Sequence, residues 1–158
     1  MHIIDRDRSA NIARNRGFKS VDTELTLFSD SDIEWSPLAL ATMIETLDNH
    51  PDAAYVYGAY LKDGKTYCTE KFDADLLKKK NYISTMSLIR TDAFPGFDES
   101  VQRLQDWDVW LTMLEQNKTG IQCESIIFTT HHHPGISQGE SMSWAKAESI
   151  VKTKHGLF

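Results

Sequence analysis

Four aspartates carry the chemistry this chain can do. Asp30 and Asp32 lie one residue apart in Phe28-Ser29-Asp30-Ser31-Asp32, and Asp106 and Asp108 lie one residue apart in Gln105-Asp106-Trp107-Asp108-Val109-Trp110. Two carboxylates at the first spacing can chelate, directly or through water, a hard cation such as Mg²⁺ or Mn²⁺ that also binds diphosphate oxygens. The same residue types in a polar loop also make turns and cap helices, so spacing alone leaves both readings open. A carboxylate at a helix start can act as a general base, or be no more than a favourable charge near the positive end of the helix.

The residues around these pairs are less specific. Trp107 and Trp110 can stack on a sugar, yet at helical spacing with Leu111 and Leu114 they also read as core. Arg8 and Arg14 can reach a phosphate as cationic donors, or be solvated helix arginines. His131-His132-His133-Pro134-Gly135 invites a zinc reading. A structural zinc needs four ligands, however, and no matching Cys or His cluster stands elsewhere in the sequence.

The elements that must position these groups follow from pattern. Residues 8–20 read as a helix whose small members Ala10, Ala13 and Gly17 let it lie close against a sheet. A strand over 24–28 stops at the Ser-Asp-Ser-Asp loop. Pro37 sits at a helix start with Ser36 as its expected N-cap, and Leu40, Met43, Ile44 and Leu47 supply the apolar stripe. Residues 53–61 are aromatic and β-prone, with Asp63-Gly64 turning the chain into 65–69. A short helix over 72–80, a strand over 82–89, a helix over 106–116, a strand over 121–130 and a helix over 142–155 complete the series. Strands alternating with helices predict an α/β protein with a mixed, mainly parallel sheet and flanking helices, taken as a single domain over 1–158. Ligands on such sheets collect at the C-terminal ends of strands, where Asp30 and Asp32 would stand.

Composition narrows the function class. With 158 residues, 41% hydrophobic and 10% aromatic, the chain can bury a real core. A formal charge of −6 gives no basis for binding bulk nucleic acid, which needs basic stripes. A nucleotide-sugar is compatible, because a cation can bridge diphosphate to carboxylate. Two cysteines, Cys68 and Cys123, form no disulfide framework and no C-x-x-C pair. The charged N-terminus lacks a signal peptide's apolar stretch, and no segment approaches about 20 consecutive apolar residues. The expected location is cytoplasmic.

Four segments together resemble the inverting glycosyltransferases of family 2, which carry the GT-A fold. They are Ala13-Arg14-Asn15-Arg16-Gly17, the Ser29–Asp32 motif, Gly96-Phe97-Asp98-Glu99-Ser100 and Gln105-Asp106. The resemblance runs over roughly 11–139. It implies a partial GT-A fold of the nucleotide-diphospho-sugar transferase, Rossmann-like kind. It also implies transfer of a sugar from a nucleotide-diphosphate donor to a hydroxyl on a glycan or lipid-linked acceptor, in polysaccharide or glycoconjugate synthesis. By the same resemblance Asp30 and Asp32 take the metal and diphosphate role, with Asp32 the principal ligand of Mn²⁺ or Mg²⁺. Asp106, the acidic member of a Gln-Asp pair, is the base. Arg8 is expected on the donor side and Trp107 and Asp108 on the acceptor side. The histidine segment matches a C-terminal flap over the diphosphate, and the position of Arg90 matches an arginine common there. Such an enzyme can work peripherally at the inner face of a membrane.

The family's nucleotide-binding strands lie upstream of the segment resembling Asn11. The chain is therefore expected to be the C-terminal part of a catalytic domain, with self-association through an exposed sheet edge. Its alternative role is that of a catalytically incomplete binding or assembly module.

Overall fold

The computed structural model describes residues 10–131 and 142–158. Helix α1 (Ala10–Phe18) leads into strand β1 (Leu25–Leu27), the acidic loop and strand β2 (Ile33–Trp35). Helix α2 (Ala39–Asn49) is followed by β3 (Tyr55–Lys62), β4 (Lys65–Tyr67) and the short helix α3 (Ala74–Lys79). Strand β5 (Leu88–Arg90), helix α4 (Gln105–Glu115), β6 (Gly120–Thr130) and α5 (Trp144–Lys154) complete the order.

The main path of the sheet is β1-β5-β3-β6-β2, with β4 added to β3. The sheet is mixed, as expected, but its balance is antiparallel. Among the described residues only β3 and β6 run parallel, while β1–β5, β2–β6, β3–β4 and β3–β5 are antiparallel. A parallel neighbour needs a long crossover. Here α4 lies in the crossover into β6, whereas the β3–β4 hairpin turns at Asp63 and Gly64, both left-handed, as a two-residue hairpin requires.

Alternating side chains of β3 feed two cores. Tyr55 and Tyr57 pack with Trp107, Trp110, Leu77 and Val151 from α3, α4 and α5. Val56 packs with Met43 and Leu47 of α2 and with Leu88, Ile127 and Phe128. A bulge interrupts the β3–β6 register after Gly58. A Cβ at Gly58 would stand 2.7 Å from Ile127 Cγ2 and 2.9 Å from Cys123 Sγ, so only glycine lets the two strands close there.

Three local expectations are corrected. Ser36 does not cap α2: its hydroxyl donates to the Ile126 carbonyl at 2.7 Å, and the helix opens after Leu38 without a side-chain cap. The strand expected over 82–89 is reduced to Leu88–Arg90. Ser84 Oγ accepts from the Met86 N–H at 3.2 Å, and the Ser87 hydroxyl returns to the Ser84 carbonyl at 2.7 Å. These local bonds take the backbone out of the ladder. Strand β2, absent from the sequence expectation, forms because Ile33, Glu34 and Trp35 find antiparallel partners in Thr130, Thr129 and Phe128.

Candidate active site

The acidic loop is anchored at both ends. Phe28, just before it, enters a cluster of four phenylalanines, with its ring centroid 4.9 Å from Phe94, 5.0 Å from Phe97 and 6.3 Å from Phe18. On the far side the Trp35 indole N–H donates to Ser29 Oγ at 3.0 Å. Between these anchors Asp30 is half-buried and Asp32 is exposed.

Arg14 ties this loop to helix α1. Its guanidinium pairs with Asp30 Oδ1 at 2.9 Å and lies 5.3 Å from the Phe97 ring centroid. Burial pushes the Asp106 carboxyl above the ordinary carboxylate range. The Trp107 N–H and the Asn81 side-chain amide, each donating to Asp106 Oδ1 at 2.9 Å, hold it back, and Arg14 adds to that restraint. A carboxyl tuned upward in this way is a stronger base once ionised.

Helix α1 earns its position through asparagines rather than small residues. Asn15 accepts the Phe97 N–H and donates to the Phe97 carbonyl, both at 2.8 Å, and reaches Glu99 Oε1 at 3.0 Å. One turn earlier, buried Asn11 donates to the carbonyls of Asp98 at 2.7 Å and Val101 at 2.9 Å. The Ala-Arg-Asn and Gly-Phe-Asp-Glu segments are thus two halves of one clamp, and its loop leads directly into α4. Gly96, at φ 91, makes the turn that brings the Phe97 amide to Asn15.

The side chains of Trp107 and Asp108 do not join the group around Asp106. Trp107 is buried and its indole donates to the Leu77 carbonyl at 2.7 Å. Asp108 is buried against α5, with Lys154 Nζ at 2.8 Å and His155 Nε2 at 2.9 Å. An acceptor would have to displace core contacts to touch either. Trp110 is likewise core, stacked on Tyr55 with centroids 4.4 Å apart. Arg90 donates to the carbonyls of Ala53 and Leu47, both at 2.9 Å, and so ties β5 to the end of α2. His131 is described and exposed, while Arg8, His132 and His133 lie outside the described residues.

Two surface cavities lie elsewhere. One of about 580 Å³ is lined by Lys78, Lys79, Lys152 and Phe158 among others, and one of about 200 Å³ by Phe97, Asp98, Asp108 and Lys154 among others. Neither lining includes Asp30, Asp32 or Asp106. Among the described residues no group of three or more His, Cys, Asp or Glu is placed to hold a metal ion. No described helix is long and apolar enough to cross a membrane.

A mixed sheet with a core on each face and an acidic loop at the end of a strand fits a GT-A type domain. The chain belongs to Glycosyl transferase family 2, whose model matches residues 2–94. That match takes in Arg14, Asp30, Asp32 and Arg90 and ends before Asp106. No curated protein matches the chain. Among solved structures, S. aureus TarS 1-349 in complex with UDP-GlcNAc superposes with a TM-score of 0.69 at 14% identity, covering 90% of this chain and 44% of that one. The same protein in complex with UDP gives 0.63 at 14% identity, covering 93% and 50%. The chain therefore spans half or less of the length of these structures, and the likeness is one of fold.

Proposed function

We propose that the chain carries out, or supplies the catalytic face for, inverting transfer of a sugar from a nucleoside-diphosphate donor to a hydroxyl acceptor. The observation that carries this reading is the way each acidic motif is held: Asp30 is paired with Arg14 at 2.9 Å, and Asp106 accepts from Asn81 and from the Trp107 N–H, each at 2.9 Å. One motif then serves the leaving group and the other the nucleophile. A UDP-sugar is the first donor to test, because TarS of the same fold was crystallised with UDP-GlcNAc.

In the proposed step Asp106 takes the proton from the acceptor hydroxyl as its oxygen attacks the anomeric carbon. The anomeric carbon–phosphate oxygen bond breaks on the opposite face, and the nucleoside diphosphate leaves with the electron pair. Arg14 is poised beside the departing charge. Asp32 and the remaining oxygen of Asp30 fit Mg²⁺ or Mn²⁺ as hard oxygen donors, but two carboxylates fill only part of a shell, so diphosphate oxygens would have to complete it. A bound cation there would offset the charge developing on the leaving group. Asn81 and the Trp107 N–H orient the base, and the asparagine clamp of α1 holds the loop ahead of it.

The test is turnover of UDP-sugars with Asp106→Asn, which keeps shape and hydrogen bonding but removes basicity. A drop of roughly 10²–10⁴ in kcat with donor KM unchanged is the expected result for a positioned base. Near-normal turnover would remove Asp106 from the mechanism.

A further inference from the structure

Four aromatic rings line up across consecutive strands of the sheet. Trp35 on β2 is in register with Phe128 on β6, Phe128 with Tyr60 on β3, and Tyr60 with Tyr67 on β4. Phe128 and Tyr60 are stacked at 4.7 Å with planes 6° apart, and Tyr60 and Tyr67 at 5.3 Å with planes 16° apart. Trp35 meets Phe128 edge-on at 5.7 Å. Exposure rises along the row, from fully buried Phe128 through half-buried Tyr60 to Tyr67, which is 42% exposed on a strand whose every residue is open.

One end of this ladder touches the acidic loop, and the chain leaving the other end pairs with the segment that holds Asp106. At one end Trp35 holds Ser29 of the acidic loop. At the other, the chain leaving Tyr67 runs beside the segment that orients the base. Glu70 accepts from Lys80 Nζ at 2.6 Å, and the next residue, Asn81, donates to Asp106. Asp106 also bears electrostatically on Tyr60 and on Cys68, the residue after Tyr67.

We propose that Tyr67, backed by Tyr60, is a stacking platform for a pyranose ring of a glycan acceptor, an inference that rests on the glycosyltransferase reading above. The C–H face of a pyranose is flat and apolar, and a tyrosine ring offers a flat apolar body with a polar rim. A ring already stacked on a neighbour loses little freedom when a ligand covers its outer face. The occupant is the acceptor, because the chain from Tyr67 leads through the Glu70–Lys80 pair to Asn81, which holds Asp106, the group that meets the attacking hydroxyl, whereas the donor diphosphate belongs with Asp30 and Asp32. The occupant is a glycan, because the open edge of the β3–β4 hairpin lets a polymer continue into solvent. Cross-strand tyrosines also stabilise a hairpin without any ligand, so the test must separate the two roles.

Saturation-transfer NMR with cellotetraose and chitotetraose as probes, run beside a UDP and Mn²⁺ titration, does so. Transfer to the ring C–H protons of at least one oligosaccharide is expected. Its half-saturating concentration should rise roughly five- to tenfold in Tyr67→Ala and stay within about twofold in Tyr67→Phe, in line with the worth of a stacked contact. Tyr67→Leu, which keeps an apolar cross-strand contact and the hairpin, should lose binding as Tyr67→Ala does, with UDP affinity unchanged in every variant. UDP binding without transfer to either oligosaccharide, or equal transfer in Tyr67→Leu, overturns the platform and leaves the transferase reading standing. An oligosaccharide that depends on Tyr67 in a protein that does not bind UDP supports the platform and counts against the donor reading.

Discussion

The side-chain amide of Asn81 donates to Asp106 Oδ1 at 2.9 Å, while the amide's own buried oxygen has no partner among the described residues. The hydrogen bonding of the Asn81 side chain is thus directed to the base. Removing it takes away a donor that favours the ionised carboxylate, in a place where burial already raises the Asp106 pKa. Asn81→Ala should therefore move the Asp106 titration further up, read by carboxyl ¹³C NMR. The acid limb of the kcat/KM profile should move with it, with kcat lower by roughly tenfold. An unmoved titration would make Asn81 a packing residue only.

The end of α5 is latched to α4 by charge. His155 Nδ1 lies 2.7 Å from Glu115 Oε1 and Nε2 lies 2.9 Å from Asp108 Oδ1, with Lys154 bridging Asp108 and Asp98. A neutral imidazole carries one N–H and can satisfy only one of these carboxylates. Burial opposes the imidazolium, but the two carboxylates outweigh it and the pKa is raised. A raised folded pKa means that this stabilisation is complete below the ordinary value of about 6.5 and is lost as pH rises through the folded value. Denaturation midpoints should fall by the equivalent of about 1–2 kcal/mol across that window, and His155→Gln should flatten the dependence.

At the acid end the sign reverses. Lys154 and two hydrogen bonds from Ser100 hold the Asp98 carboxyl at about 2. Its contribution is present above the ordinary aspartate value and is lost as pH falls through about 2. Lys154→Met should bring the onset of acid unfolding to higher pH, as followed by far-UV circular dichroism.

The clamp between α1 and the loop at 96–101 predicts a stability effect far from any strand. Asn11→Ala leaves the Asp98 and Val101 carbonyls without their donor and should lower stability by about 1–3 kcal/mol. Thermal melts of Asn11→Ala and Asn15→Ala check this. A Tm within a degree of the parent would mean that the loop is held by the phenylalanine cluster alone.

The sequence disclosed the elements better than their joints. The β3–β4 hairpin was legible because Asp63-Gly64 has a local backbone signature, and α4 because Trp107, Trp110 and Leu111 repeat at helical spacing. Asn11, Asn15 and Asn81 were not, since an asparagine hydrogen-bonded to a distant loop looks in sequence like one facing water. Asp108, expected on the acceptor side, is instead claimed by Lys154 and His155, more than forty residues on. The aromatic ladder was hidden because its register exists only once four strands pair, one of them the unforeseen β2. The sheet's antiparallel balance likewise depends on which strands meet, which local periodicity does not encode.

Isothermal titration with UDP and Mn²⁺ decides whether the two acidic motifs divide the donor and base roles between them. UDP binding should require the metal and weaken by roughly tenfold or more in Asp32→Ala, the loss expected when a hard cation gives up one of few carboxylates. Asp106→Asn should bind UDP as the parent does. Equal UDP binding by the parent and by Asp32→Ala, or no metal-dependent binding at all, would contradict that division of roles.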